Sequence, residues 1–163
     1  LFSACGILFN HESCLRKENF VIKKIIQTAL AIKSGNQTKL ELGDLSVQRD
    51  WGYAPKYVEA MWLMLQQDQP KDFLICSGDV NSLETFVREV FLQLNLDFNK
   101  HVHFDQALLR NLELNSIYGD NSQASVSLGW EYDLSFQELV RLLIKDERNF
   151  QKFIFQSNSS KFL

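Results

Sequence analysis

Apolar residues recur at helical spacing in four stretches of this chain. In the first, residues 20–33, they repeat at i, i+1, i+4, i+5, i+8 and i+9 and so form a single apolar face. Gly35 and Asn36 follow this stretch, as is typical of a helix C-terminus. The same spacing predicts three further helices. One covers 55–67, the next begins at Asn81, and the last begins at Ser135.

Helical spacing also predicts which side chains each later helix turns toward a core. In chain order these are Tyr57, Met61, Met64 and Leu65; Phe86, Val87, Val90, Phe91 and Leu94; and Leu139, Leu142, Leu143 and Ile144. The periodicity is lost after Phe150, so a frayed tail is expected over 151–163. Residues 1–150 are therefore expected to form the folded unit.

Short apolar stretches outside the predicted helices are typical of strands. They cover 1–9, 39–42, 72–76 and the residues around 101–104. Strands that alternate with helices favour the α/β class. No Gly-x-Gly-x-x-Gly follows any of these strands, so the turn that cradles dinucleotide phosphates is missing from the sequence. If this is an α/β enzyme, we expect the chain to be part of one.

Composition narrows the function class in three ways. The 17 basic and 20 acidic residues give a net charge of −3, which indicates no broad basic surface for nucleic acid. The three cysteines form no Cys-x-x-Cys pair, which argues against a zinc site or a disulfide framework and favours a reduced, cytoplasmic protein. No apolar stretch is long enough for a membrane span. The first residue is Leu rather than Met, so we expect a fragment or a processed chain.

The polar residues that end the first predicted strand are the first candidate site. They are Asn10, His11, Glu12 and Ser13. Ligands bind at the carboxyl ends of strands in open α/β sheets. Asn and His side chains offer hydrogen bonds to a sugar or a phosphate. The alternative is a polar turn that only closes the strand.

A second candidate site precedes the second predicted helix and has the sequence Arg49-Asp50-Trp51-Gly52. The planar guanidinium of Arg matches the geometry of a phosphate group. The alternative is an Arg–Asp pair on the surface with Trp51 packed beneath it. Without further information the two interpretations stay open.

Five other polar residues are weaker candidates. Lys24, Arg110 and Glu113 could each contact an anion or a hydroxyl group, but such residues are most often part of a solvated face. His101 and His103 would face one side of a strand and suit a metal ion, but no third ligand stands at a recognisable spacing. We therefore predict no metal site.

In chain order, these segments resemble the C-terminal half of the GDP-mannose 4,6-dehydratases, a family of extended short-chain dehydrogenases/reductases. The family's Phe-Asn-His-Glu-Ser segment is similar to residues 9–13, and its Leu-Gly-Asn-Leu-x-x-x-Arg-Asp-Trp-Gly segment is similar to residues 42–52. The helix that follows in the family resembles residues 57–67. The family's closing Leu-Gly-Trp and Ser-Phe-x-Glu-Leu-Val resemble residues 128–130 and 135–140.

The resemblance implies a fold, a cofactor and a substrate. The fold is a partial, Rossmann-like extended short-chain dehydrogenase fold, with C-terminal sheet strands and a substrate-binding α/β subdomain in residues 1–150. The cofactor is NADP, contacted by His11 and Arg16. The substrate is GDP-mannose, in a site lined by Asn10, Val21, Lys24, Gly43, Arg49, Arg110 and Glu113. The family oxidises the sugar at C4, eliminates water across C5–C6 and returns the hydride to C6, which gives GDP-4-dehydro-6-deoxy-mannose.

The chain also departs from the family pattern. The departures are Cys14 for Pro, Lys17 for Gly, Asp44 for Asn, Tyr53 for His, and Asn111 for Pro. An anion at position 44 would repel a diphosphate. The family's catalytic Thr/Ser, Glu and Tyr-x-x-x-Lys precede the part that this chain resembles. We therefore expect the chain alone to be inactive and to need an N-terminal half as its partner, with a homo-oligomer also possible.

Two alternative functions stay open at this stage. The chain could be a degenerate, non-catalytic binding or interaction fragment, since the apolar edge at residues 1–9 would pair with a partner strand. It could instead be part of another nucleotide-sugar epimerase or reductase of the same superfamily. The Asn10-His11-Glu12-Ser13 segment disfavours this last alternative.

Overall fold

Short strands alternate with helices along the computed structural model, which describes residues 1–109 and 114–159. The strands are β1 (Gly6–Leu8), β2 (Asn10–Glu12), β3 (Leu40–Leu42), β4 (Gln48–Tyr53), β5 (Phe73–Ile75), β6 (Val80–Ser82), β7 (Val102–Phe104) and β8 (Ser116–Ile117). The helices are α1 (Val21–Lys33), α2 (Ala54–Met64), α3 (Leu83–Gln93), α4 (Phe98–His101), α5 (Ser122–Leu128) and α6 (Phe136–Ser159). No helix in these ranges has both the length and the apolar character needed to cross a bilayer.

Within the described ranges the strands form three small sheets. Strands β1 and β5 pair in parallel, as do β3 and β7. Strand β4 lies at the centre of the third sheet, parallel to β2 and β8 and antiparallel to β6. The Phe9 N–H, between β1 and β2, donates to the Ile75 carbonyl at 2.9 Å. One extended segment therefore leads directly from the first sheet into the third.

The helix ends follow local chemistry that is visible in the sequence. The Ser135 hydroxyl accepts from the Glu138 N–H at 3.3 Å, and the Glu138 carboxylate accepts from the Ser135 N–H at 2.9 Å, which confirms the predicted capping box of α6. Helix α3 is capped by Ser82, one residue after the predicted start, since its hydroxyl accepts from the Thr85 N–H at 3.0 Å. Helix α5 ends at Gly129, whose φ of 64° is left-handed.

Two apolar clusters form the interior. The larger joins α1, α3 and α6 with strand β3 and Trp51 of β4. The smaller joins α2, β5 and α5 with Trp130, and Leu8 of β1 packs against it. The chain enters the two clusters alternately, so neither corresponds to a continuous stretch of sequence.

The predicted inward face of α2 is partly wrong. Tyr57 and Met64 are buried as expected, but Met61 is 37% exposed and Leu65 is 60% exposed. Ala60 takes the inward position between the other two. The helix carries apolar residues on both sides, so periodicity alone does not distinguish the buried face from the exposed one.

The C-terminal helix also differs from the expectation. Leu139, Leu143 and Ile144 are buried as predicted, but Leu142 is only half-buried and Val140 lies in the core instead. Where a frayed tail is expected over 151–163, helix α6 continues to Ser159. Residues 151–156 are exposed, which explains why their sequence shows no apolar face.

A buried ion pair between Lys23 of α1 and Glu147 of α6 links the two helices. The Lys23 ammonium donates to the Glu147 carboxylate, and Glu147 is only 1% exposed. The same carboxylate accepts from the Gln27 amide at 3.1 Å and the Gln151 amide at 3.0 Å, while Lys23 also donates to the Cys14 carbonyl at 2.6 Å. Every polar group at this contact is therefore satisfied, as burial of two charges requires.

Lys23→Met is expected to lower the free energy of unfolding by about 3–5 kcal/mol, because it leaves the Glu147 charge buried and uncompensated. Urea unfolding followed by circular dichroism measures this change. Replacing both partners, as in Lys23→Met with Glu147→Leu, should restore much of the loss since no charge then stays buried.

Lys39→Met is the matched control. It makes the same substitution in the exposed Lys39–Glu41 pair, whose atoms lie 2.5 Å apart, and should leave the stability almost unchanged because solvent screens the pair. Equal losses in the two single variants would contradict a special role for the buried pair.

Candidate functional site

A cavity of about 440 Å³ opens where β2 ends and α1 begins. We call it the β2–α1 cavity. Its walls come from β2, the start of α1, the segment between β3 and β4, and one side of β4. The lining residues are Asn10, Glu12, Arg16, Asn19, Phe20, Val21, Lys24, Leu42, Gly43, Asp44, Val47, Arg49, Trp51, Leu83 and Leu108.

The β2–α1 cavity brings together most of the residues implied for the substrate site. Asn10, Val21, Lys24, Gly43 and Arg49 all line it, although they lie on separate elements of the chain. The remaining two, Arg110 and Glu113, lie outside the described residues. The convergence is a finding of the structure, whereas the role of each residue stays a prediction.

The two residues implied for cofactor contact lie on different sides of β2. Arg16 lines the β2–α1 cavity, beside the residues implied for the substrate. His11 faces away from it, because alternate residues of a strand point to opposite faces. The His11 ring lies 5.2 Å from the Tyr57 ring, and its Nδ1 donates to the Phe9 carbonyl at 2.8 Å. Since Nδ1 carries the proton in the neutral ring, Nε2 is a hydrogen-bond acceptor.

The cations of the cavity are held by backbone carbonyls. Lys24 Nζ donates to the Glu41 carbonyl at 2.7 Å. Arg49 Nη1 donates to the carbonyls of Gln48 and Leu114, each at 2.7 Å. These contacts hold the two positively charged groups in place in the cavity wall. Positively charged side chains that are held in this way suit a ligand that carries negative charge.

Asp44, where the family has Asn, is an anion in the wall of this cavity. Its Oδ1 accepts from the Ser46 N–H at 2.8 Å and from the Ser46 hydroxyl at 2.7 Å. These hydrogen bonds hold the pKa of the Asp44 carboxyl below its usual value, so the group is ionised at neutral pH. One carboxylate oxygen is thus engaged with the loop, and the exposed position lets solvent screen the charge.

Glu12 is a buried carboxylate in the wall of the cavity. It is 3% exposed, and its Oε2 lies 3.2 Å from Nε of Arg16. Arg16 also donates from Nη1 to the His11 carbonyl at 2.8 Å and stacks on the Phe20 ring at 3.8 Å. Burial raises the pKa of the Glu12 carboxyl to about 7, and the positive charge of Arg16 limits that rise. Strand alternation would have placed Glu12 beside Asn10 on one face, but nothing in the sequence indicates that Arg16 folds back onto it.

The Arg49-Asp50-Trp51-Gly52 segment forms the central strand β4, with different roles on its two faces. Arg49 and Trp51 face the β2–α1 cavity. Asp50, on the opposite face, is 1% exposed and accepts from the Ser77 N–H at 2.8 Å, the Ser77 hydroxyl at 2.7 Å and the Gly78 N–H at 2.9 Å. The alternative of a surface Arg–Asp pair is therefore wrong.

Tyr53, where the family has His, joins β4 to two other parts of the chain. Its hydroxyl donates to Asp146 at 2.5 Å, and its N–H donates to the Tyr132 hydroxyl at 2.9 Å. Burial is the main cause that raises the pKa of the Tyr53 hydroxyl to about 12, and the hydrogen bond to Asp146 is the second. The substitution is thus accommodated by contacts that lie away from the cavity lining.

Two further features concern a neighbouring cavity and the predicted absence of a metal site. A second cavity of about 450 Å³ lies against the Lys23–Glu147 pair and includes Arg16 among its lining residues. Among the described residues, no group of three His, Cys, Asp or Glu side chains comes together as a metal site would require. His101 ends α4 rather than lying in β7, and its Nδ1 lies 2.7 Å from the Thr38 carbonyl.

Comparison with known proteins identifies the family. A family model described as GDP-mannose 4,6 dehydratase matches residues 1–143. The chain belongs to this family. The GDP-mannose 4,6 dehydratase 2 of Arabidopsis thaliana is 43% identical over 152 residues, which are 93% of this chain and 41% of that protein. The human GDP-mannose 4,6 dehydratase is 39% identical over 161 residues, which cover 88% of this chain and 43% of that protein.

Solved structures agree on the fold. RMD from Pseudomonas aeruginosa complexed with NADPH superimposes with a TM-score of 0.78 at 21% identity, over 88% of this chain and 47% of that one. The dTDP-glucose 4,6-dehydratase from Bacillus anthracis in complex with NAD superimposes with a TM-score of 0.77 at 14% identity, over 90% of this chain and 45% of that one. The predicted fold class, α/β and part of an extended short-chain dehydrogenase fold, is confirmed. The chain spans about two fifths of the length of its GDP-mannose 4,6 dehydratase relatives.

Gly52→Ala is expected to destabilise the protein by about 2–3 kcal/mol, because a Cβ there would lie 2.2 Å from Cε2 of the buried Tyr57 ring. That ring packs against His11, Trp130 and Tyr132 and has no room to move. Thermal unfolding measures the loss. Gly6→Ala is the matched control, since its Cβ would meet side chains no closer than 3.4 Å. A Gly52→Ala variant as stable as Gly6→Ala would contradict the close packing of Tyr57.

The contribution of Glu12 to stability is expected to fall as pH rises. Its folded-state pKa of about 7 lies above the ordinary value of 4.5, so the contribution is fully present below pH 4.5 and is lost as pH rises through 7. The unfolding free energy of the wild type, minus that of Glu12→Gln, should therefore fall by about 3 kcal/mol from pH 4 to pH 8.

Urea unfolding at a series of pH values measures this difference. Asp44→Asn serves as a control of opposite sign. The folded-state pKa of Asp44 is lowered, so its contribution is present at neutral pH and is lost as pH falls. A pH-independent difference for Glu12→Gln would show that the Glu12 carboxyl is not perturbed by burial.

Proposed function

We propose that this chain is the GDP-sugar-binding half of an NADP-dependent GDP-mannose 4,6-dehydratase, which converts GDP-mannose to GDP-4-dehydro-6-deoxy-mannose. The observation that carries the proposal is the β2–α1 cavity. Five residues implied by family resemblance meet there from separate parts of the chain, beside a family match over residues 1–143. The acid–base groups and the phosphate-binding turn would come from the complementary part of the enzyme.

The charges in the cavity support a nucleoside diphosphate sugar as the ligand. Lys24 on α1 and Arg49 on β4 are each held by backbone carbonyls, which reduces the ordering needed when phosphates bind. Arg16 adds a third positive charge, partly balanced by Glu12. Asn10 offers the acceptor and the amide donor that sugar hydroxyls require. Asp44 opposes anion binding, so we expect weaker affinity than an Asn at this position would give.

We propose that a nicotinamide cofactor binds near the end of β2. His11 presents an oriented ring with Nε2 as an acceptor, and Arg16 supplies a positive charge near the end of β2. When bound, such a cofactor would take a hydride from the sugar and return it. The role of this chain would be to contact the cofactor and to hold the sugar nucleotide beside it. NADP rather than NAD, a cytoplasmic location and homo-oligomer formation all stay predictions.

Lys24→Met is expected to weaken GDP-mannose binding about 10- to 100-fold, because a hydrogen bond between a charged side chain and a phosphate contributes about 1.5–3 kcal/mol. Isothermal titration calorimetry with the 163-residue chain measures the affinity. Under this proposal the isolated chain binds GDP-mannose but does not convert it.

Lys33→Met is the matched control, since it makes the same change at an exposed position in the last turn of the same helix. Its affinity should equal that of the wild type. Equal losses in both variants, or no preference for GDP-mannose over UDP-glucose in the wild type, would contradict the proposal.

A second candidate function is a non-catalytic interaction module. The exposed Ile7 in β1, a strand that pairs with β5, favours it because an apolar edge strand is a surface for strand addition. This function predicts association with another polypeptide without affinity for GDP-mannose. The calorimetric titration therefore distinguishes it from the first proposal.

A further inference from the structure

The Glu12 carboxylate is buried without the hydrogen bonds that burial normally requires. Its Oε2 accepts no hydrogen bond from the described residues, and the same holds for Nε of Arg16 as a donor. The two atoms lie 3.2 Å apart as an ion pair, but they are not aligned as a hydrogen bond. A buried acceptor left in this state costs free energy, so its retention calls for an explanation.

Glu147 shows what a purely structural buried carboxylate looks like in the same molecule. It is buried to a similar degree, yet it accepts hydrogen bonds from Lys23, Gln27 and Gln151. Both carboxylates line a cavity, but Glu12 has a single, misaligned partner among the described residues, Arg16. Glu12 is therefore the carboxylate that can accept a hydrogen bond from a ligand in its cavity.

The location of Glu12 identifies the part of the ligand it would meet. Glu12 and Asn10 alternate along β2 and therefore share the face that lines the β2–α1 cavity. The phosphates of a nucleotide sugar would be drawn to Lys24 and Arg49, and they would be repelled by Glu12. The group beside Glu12 must be uncharged and must donate a hydrogen bond, and a sugar hydroxyl meets both conditions.

We propose that Glu12 contacts the substrate, with its carboxylate accepting a hydrogen bond from a hydroxyl group of the hexose of the nucleotide sugar. Arg16 holds the Glu12 side chain in place from one side and is itself held by the His11 carbonyl and the Phe20 ring. This inference rests on the proposed function, because it takes a nucleotide sugar as the ligand of the cavity. It adds a residue that discriminates the sugar rather than the nucleotide.

The test compares GDP-mannose with GDP, which lacks the hexose. The measured quantity is the ratio of the two dissociation constants for the 163-residue chain, obtained by calorimetry at pH 8. Glu12→Gln removes the charge at constant size and is expected to lower the preference for GDP-mannose about 10-fold, while GDP affinity changes less than about twofold. Glu131→Gln makes the same change at an exposed position and should leave both affinities unchanged.

A dependence on pH provides a second readout that a purely structural role would not produce. Only the ionised carboxylate is a strong acceptor, and the pKa of Glu12 is raised to about 7. The wild-type preference for GDP-mannose should therefore increase as pH rises through 7 and be flat in Glu12→Gln. The other charged groups that line the cavity are Arg16, Lys24, Asp44 and Arg49. Asp44, whose pKa is lowered, keeps its charge across this range.

The outcomes separate this inference from the proposed function. If Glu12→Gln weakens GDP and GDP-mannose equally, Glu12 acts only by holding Arg16, and the inference is wrong while the proposed function stands. An unchanged ratio also overturns it, as does a wild type that binds GDP-mannose no tighter than GDP. If the wild type binds neither ligand, both proposals fall. Thermal unfolding of each variant confirms that the folded state is being compared.

Discussion

The Asp50 carboxylate is the contact on which the arrangement of the molecule depends. It lies on the central strand β4 and accepts three hydrogen bonds from the Ser77–Gly78 turn between β5 and β6. Hydrogen bonds to a charged acceptor contribute about 1.5–3 kcal/mol each. Because β5 belongs to the smaller apolar cluster and Trp51 to the larger, this one side chain sets how the two clusters meet.

The geometry of the β2–α1 cavity also depends on strand β4. With Asp50 fixed on one face of β4, Arg49 and Trp51 are directed to the other face, where the cavity lies. Gly52 then leaves room for the Tyr57 ring, which supports His11 on the far side of β2. A segment of four residues thus organises both faces of the site.

Sequence patterns predicted most accurately the helices that carry a single apolar face. Helices α1 and α3 each have one apolar face and were predicted closely, whereas α2 has two and its inward face was partly wrong. Strand β4 was not predicted, because its buried Asp50 interrupts the apolar alternation that marks a strand. Polar residues are buried only where distant donors meet them, and such partners are invisible to local periodicity.

The site residues also divide into those that the sequence identifies and those that only the structure reveals. Family resemblance named Asn10, Val21, Lys24, Gly43 and Arg49, and the structure brings these residues into one cavity. Periodicity alone would not have grouped them, since they come from three separate stretches. Glu12 was named within the first candidate segment but given no role, because its state depends on the way Arg16 folds back across the end of β2.

The alternation of the chain between the two clusters has a consequence for how the protein loses its structure. Strand β1, helix α2, strand β5 and helix α5 serve one cluster, whereas helices α1, α3 and α6 and strand β3 serve the other. Neither cluster can therefore unfold without disturbing the chain segments that lead into the other. We expect the two clusters to unfold together, so that the cavity persists until the described part of the chain unfolds in one cooperative transition.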